Sequence, residues 1–367
     1  MVIDTLWMRI MQPCHSKMFY RFSNADGKTW LIPAKHMRIA MNLYQPSSRK
    51  GKLLKALFPF LHRITQVRKA VQAETVHLDL KADLRKLLTD VFHTEDMEFA
   101  IFCGTPCVHQ KWTVQLSRGN QILGYCKITD NNAVGELFRK EAALLKTLSR
   151  KGVDNVPQSL YCGEAGKGIH LFVQSTTKST CSKVLHHWTT LQEDFLDNLH
   201  KKTHQLVLFE QSDYWQTLNK LLAHLEWLPQ EIDRTKMVEL INRVYVERKG
   251  KFVDYSAYHA DFTPWNTFVE SRKLFVFDWE YARMTYPPKL DRYHFFTQTA
   301  LFEKHWNADH IIAYMQSAKG RWINKESYSL YLLDIIARFA VREKGHVKEE
   351  MQHFMIIWNN LLNFLNS

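Results

Sequence analysis

The chain has 367 residues, 46% of them hydrophobic and 13% aromatic, and a formal net charge of +12. That length exceeds the ~250–300 residues one core usually holds, so two or three packed units are expected, and the apolar content excludes a disordered chain. No run of 18 apolar residues occurs, which excludes a membrane-spanning helix. The cysteines at 14, 103, 107, 126, 162 and 181 form no repeated framework, and the amino-terminal stretch, interrupted by Asp4 and Arg9, does not read as a signal peptide. A reducing cytoplasm is the expected compartment.

Phe19–Ile32, with Asp26-Gly27 between aromatic-rich runs, predicts a hairpin, and Gln45–Gly51 a loop. Leu53, Leu54, Leu57, Leu61, Ile64 and Val67 recur at helical spacing, with Pro59 marking a kink or a break into two helices. Leu80, Leu84, Leu87, Leu88 and Val91 predict a further amphipathic helix. Between Gly27 and Ala73 there are ten lysines and arginines and no Asp or Glu, so most of the excess charge belongs to this segment. It is expected to face an anionic partner, with peripheral membrane contact through 49–69, at the inner face of the membrane, as one form of that. The competing reading is a helical cap with its lysines turned to water. No nucleic-acid motif occurs, and none is expected to bind.

From Glu98 short strands follow: Phe99–Gly104, Trp112–Leu116 and Gln121–Thr129, with a turn at Arg118–Asn120. Gly104 and Thr105, followed by Pro106, occupy the first turn, where a phosphate-covering loop would lie, although a single glycine offers few amides to phosphate. Lys127 sits on the third strand among apolar residues. The helix Glu136–Leu148 places Glu141 inside its apolar stripe, between Leu137 and Leu145. A carboxylate there is costly to bury unless paired, and Lys127 is the expected partner. Glu136 is the competing choice, on a wetter face beside Lys140. A turn at 163–168 and a strand Ile169–Gln174 follow. Beyond these the pattern is helical at Leu191–Phe209, Tyr214–Leu225, Gln230–Arg248, Lys289–Phe302, His310–Gln316, Ser327–Val341 and Val347–Leu365.

Tyr258–Tyr281 is the densest polar stretch, holding His259, Asp261, Asn266, Asp278 and Glu280. Between them a hairpin is predicted, Asn266–Glu270 with Lys273–Phe277 around a Ser271-Arg272 turn. That register sets Asn266 opposite Phe277, one step from Asp278, an arrangement suited to sharing a divalent cation. His200 and His204 lie four apart on a helix but lack a third ligand, and Cys103 and Cys107 are a lone pair; both read as incidental.

The spacing from His259 to Asp261 to Asn266, followed by Asp278-Trp279-Glu280, resembles the catalytic and metal-binding segments of the aminoglycoside phosphotransferase and choline kinase family, from about Glu98 to the carboxyl terminus. The resemblance implies an α+β, two-lobed protein-kinase-like fold: a small antiparallel-sheet lobe, a mostly helical large lobe and, here, a basic accessory segment in front. Boundaries are expected at 1–75, 76–176 and 177–367. It implies ATP and Mg²⁺ as cofactors, Asp261 with His259 as catalytic residues, and Asn266 and Asp278 on the metal with Glu280 beside them. Lys127 and Glu141 would hold the α- and β-phosphates, and Gln174 to Ser179, including Thr176, would be the hinge beside the adenine. The acceptor is expected to be a small molecule or glycan, anionic on the charge argument. Choline, ethanolamine and aminoglycosides are alternatives within the class, and a catalytically weak nucleotide- or glycan-binding scaffold is the alternative outside it.

Overall fold

A computed structural model describes residues 5–46, 48–107, 110–166 and 168–367, so Ser47 of the expected loop and Lys167 of the expected turn lie outside the described residues. The chain divides into two units. The sheet unit takes the described residues up to Arg150, Asp154–Lys183 and Phe268–Glu280; the helical unit takes Lys151–Val153, Val184–Thr267 and Tyr281–Ser367. An antiparallel-sheet unit and a mostly helical unit match the expected fold class.

The sheet unit is built on eight strands, β1 Met11–Ser23, β2 Thr29–Pro33, β3 Glu74–Leu80, β4 Glu98–Phe102, β5 Trp112–Arg118, β6 Gln121–Thr129, β7 Ser159–Glu164 and β8 His170–Ser175. Their order is β3-β1-β2-β4-β5-β6-β8-β7, antiparallel throughout. The boundary expected at residue 75 is therefore not a structural one: β2 pairs directly with β4, Trp30 opposite Phe102 and Leu31 opposite Ile101. The reason lies in two-sided burial. Alternate residues of these strands enter two cores, Leu31, Phe99 and Ile101 on one face and Trp30, Ile32 and Ala100 on the other. Helices α1 Thr5–Ile10, α2 Met37–Ala40, α3 Arg49–Leu61, α4 Thr65–Ala70 and α5 Ala82–Phe92 complete the amino-terminal part. Leu80, expected to open α5, instead ends β3. Pro59 lies inside α3, and the break follows it at His62–Ile64.

After β6 comes α6, Asn132–Arg150, whose buried stripe Phe138, Glu141, Ala142, Leu145 and Leu148 packs on β6, β7 and β8. The predicted hairpin is present as Thr267–Glu270 and Lys273–Val276, and Ser271 and Arg272 both take positive φ, 50° and 64°, as a type I′ turn requires.

The helical unit holds α7 Thr190–Thr203, α8 Asp213–Leu222, α9 Arg234–Arg248, α10 Leu290–Gln298, α11 Ala308–Gln316, α12 Lys325–Glu343 and α13 Glu349–Leu365. The helix expected over Leu191–Phe209 ends earlier. Gln205–Leu208 is a strand, β9, paired with a strand that was not foreseen, β10 Phe252–Tyr258. On its other edge β10 pairs with Arg283–Tyr286. Beneath β10 the Tyr258 hydroxyl donates to Asp334, whose carboxylate also takes Arg338 at 2.8 Å. This buried pair, bonded through Asp334 Oδ2, anchors the strand that leads into His259.

Candidate functional site

In the sheet unit Lys127 projects from β6 and Glu141 from the buried stripe of α6, and both are almost fully buried. The Lys127 Nζ lies 3.0 and 2.7 Å from the two Glu141 oxygens and 2.6 Å from Asp278 Oδ1. Glu136 instead forms an exposed pair with Arg139, so of the two glutamates Glu141 meets the lysine. Trp279, itself buried, donates its backbone N–H to Glu141 at 3.1 Å and its indole N–H to Val276. Asp278 is thereby held at φ 67°, a left-handed conformation that a non-glycine residue adopts only under constraint.

A second ammonium joins this cluster. Lys111, at the foot of β5, bonds Glu280 and lies 3.7 Å from Asp278. Burial works against its charge, but Asp278 and Glu280 outweigh burial and hold it protonated well above the ordinary lysine range. Lys127 is likewise raised: burial opposes the charge, and Asp278 and Glu141 overcome it. The carboxylates of Glu141, Asp278 and Glu280 bring oxygens within 4.8 Å of one another, a set that could hold a metal ion. Gly104 explains how Lys111 is placed. With φ at 78° and Lys111 O where a Cβ would sit at 2.2 Å, only glycine lets the loop close on the β5 strand. Thr105 beside it is exposed.

Lys111, Lys127 and Asp278 are among the residues that line a cavity of about 140 Å³. Leu43, Tyr125, Phe268, Phe275 and Phe277 give it apolar walls, and Gln174, Thr176 and Lys178 line it as well. Tyr125 and Gln174 stand opposite each other in the β6–β8 register, and the Tyr125 hydroxyl and Gln174 Oε1 are both buried without a hydrogen-bond partner. Lys178 lies 5.7 and 5.8 Å from the Phe268 and Phe277 ring centres, and burial together with Lys55 pulls its ammonium down to about 7. Thr176 caps the Lys178 N–H at 3.1 Å.

In the helical unit the segment after β10 is fixed by one buried carboxylate. Asp291, on α10, accepts the backbone N–H groups of His259 at 2.9 Å and Ala260 at 3.0 Å, with Ala260 at φ 70°. Fully buried His259 takes the Asp261 N–H on Nδ1 at 3.2 Å, a bond that shapes the loop. Both Asp261 oxygens are then held from the side. His294 Nε2 meets Oδ1 at 3.2 Å, and the Asn266 amide donates to Oδ2 at 2.7 Å. Burial keeps His294 below the usual imidazole range, so it is neutral, an Nε2–H donor with Tyr331 O–H on its Nδ1 at 3.2 Å.

Of the residues expected from sequence, the sheet unit thus brings together Lys127, Glu141, Asp278 and Glu280, with Gln174 and Thr176 on the same cavity as Lys127. The helical unit brings together His259, Asp261 and Asn266. Sequence reasoning missed Lys111, Asp291 and His294. Asp291 and His294 carried little signal, since they lie three apart on a helix that also holds Arg292, Thr297 and Gln298. Lys111 carried none, since a lysine heading a strand is ordinary.

No protein-family model matches the sequence, and no curated protein matches it significantly. Solved structures similar to this chain include choline kinase LicA from Streptococcus pneumoniae, at 14% identity over 78% of this chain and 100% of that one, TM-score 0.47. Aminoglycoside phosphotransferase APH(4)-Ia is similar at 10% identity over 77% and 97%, TM-score 0.48. The amicoumacin kinase hAmiN, solved with AMP-PNP, Ca²⁺ and Ami, is similar at 10% identity over 77% and 93%, TM-score 0.47. At these values the functional reading rests on side-chain geometry. No helix among the described residues is long and apolar enough to cross a membrane.

Proposed function

We propose that the chain is an ATP- and Mg²⁺-dependent phosphotransferase acting on a hydroxyl of a small molecule or glycan, with an anionic sugar or glycolipid-type acceptor. The observation that carries this reading is the buried Lys127, bonded at once to Glu141 and Asp278 and lining an aromatic-walled cavity. An apolar slot with two orphaned polar atoms suits a planar heterocycle with hydrogen-bonding edges, and Lys111 and Lys127 on its lining suit phosphate. Asp278, Glu280 and Glu141 offer the hard oxygen donors that Mg²⁺ takes. Bound there, the ion would neutralise phosphate charge. Lys127 and Lys111 would do the same from the protein side, while Asp261 would orient the acceptor hydroxyl and receive its proton as the new oxygen–phosphorus bond forms and the bond to the ADP leaving group breaks. His294 and Asn266 hold that carboxylate in one orientation throughout.

The acceptor class follows from charge. Ten cations without one acid between Gly27 and Ala73 raise encounter with acidic molecules and repel choline or aminoglycosides. A lipid-linked acceptor would also bring the chain to a membrane surface through 49–69. The test is ATP consumption with Mg²⁺ against a panel of sugars, phosphorylated sugars, uronic acids, amino alcohols and aminoglycosides. Mg²⁺-dependent transfer to an acidic sugar is expected. Transfer to cationic acceptors alone would overturn the acceptor class, and nucleotide binding without transfer to any acceptor would favour a scaffold.

A further inference from the structure

Helix α3 carries an apolar stripe that the protein leaves uncovered. Leu53, Leu57 and Phe60, at i, i+4 and i+7 and therefore on one face, are 60%, 44% and 71% exposed, and Ile64 just beyond the helix is 45% exposed. The opposite face is already used: Phe58 is buried among Tyr20, Phe22 and Tyr44, with Leu54 packed against the same cluster. The stripe is thus surplus to the fold. Large apolar side chains in a row on a solvent face mark an interaction surface.

The charge around the stripe identifies the partner. Arg49 and Lys50 form the first turn, Lys52 precedes Leu53 and Arg63 precedes Ile64; all four are exposed and have no carboxylate partner among the described residues. Two cations in the first turn oppose the helix dipole, a cost that an anion at that end would relieve. Other cations of the segment are engaged elsewhere: Lys35 pairs with Glu98 at 3.1 Å, and Arg68 donates to the carbonyls of His62 and Arg63. A second copy of the chain is a poor occupant, because facing α3 helices would set these cations against each other. An acidic protein would satisfy the charge but needs a shaped apolar groove for three adjacent side chains, whereas a bilayer takes them without one.

We infer that α3 lies in the plane of an anionic lipid surface, with Leu53, Leu57, Phe60 and Ile64 entering the acyl boundary and Arg49, Lys50, Lys52 and Arg63 at the headgroups. This docking mode is independent of the phosphotransferase reading, so each can fail alone.

The test is co-sedimentation of the full chain with vesicles of phosphatidylglycerol mixed into phosphatidylcholine, and with pure phosphatidylcholine. The wild type is expected to bind the anionic vesicles and to weaken with salt. Leu57→Ser with Phe60→Ser should weaken binding by about tenfold or more without altering the circular dichroism, since both side chains face solvent. Arg49→Glu with Lys50→Glu should do the same. Equal binding to both vesicle types, no binding to either, or unchanged binding by the serine variant would overturn the inference. So would a concentration-dependent dimer in sedimentation velocity that the serine variant abolishes.

Discussion

Asp291 does more for the helical unit's candidate site than its place on α10 suggests. Burial pushes its carboxyl up to about 7 from the ordinary 3.8, although the N–H groups of His259 and Ala260 pull the other way. Between those two values the folded chain keeps a proton that the unfolded chain has released. Stability from this group is therefore complete below about pH 4 and declines as pH rises to about 7, by at most about 4 kcal/mol. Asp291→Asn should flatten that part of the pH–stability curve measured by denaturant unfolding; an unchanged slope would remove Asp291 as its source. Glu141 was readable because a carboxylate in an apolar stripe demands a partner, and Lys127 was the nearest cation in the pattern. Lys111 and His294 were not, because their partners, Glu280 and Asp261, lie far along the chain and only the fold brings them close.

The hairpin at Ser271-Arg272 is the element whose local chemistry agrees least with its geometry. Both turn residues occupy the left-handed region without being Gly or Asn. Ser271→Asn with Arg272→Gly should relieve about 1 kcal/mol of this strain and raise the denaturant midpoint accordingly. A lower midpoint would mean that these side chains make a contribution that outweighs the strain. The turn itself was legible from the two-residue gap between alternating strands. Strands β7 and β9 were not, since β7 is only half-buried along its length and lacks clean alternation. Gln205–Leu208 continues the helical spacing of α7 until β10 captures it as an edge strand.

At the scale of the molecule, the amino-terminal region is legible as basic and amphipathic but not as part of the sheet, because pairing between β2 and β4 spans a long intervening segment. A chain beginning at residue 76 is expected to aggregate or remain unfolded. It would lose β1 and β2, leave most of β3 without its partner, uncover the β4 edge and expose Ala100 and Phe102. A soluble, cooperatively unfolding truncated chain would restore the accessory reading of 1–75. The proposed phosphotransfer divides between the units, with nucleotide and metal held by the sheet unit and the acceptor handled by Asp261 of the helical unit. Its most direct test is Mg-ATP affinity by calorimetry in two single variants, with turnover measured on the best acceptor. Asp261→Asn should bind Mg-ATP as the wild type does while turnover falls by about 10²–10⁴, and Asp278→Ala should lose Mg²⁺-dependent binding. Normal Mg-ATP binding by Asp278→Ala, or undiminished turnover by Asp261→Asn, would overturn that division.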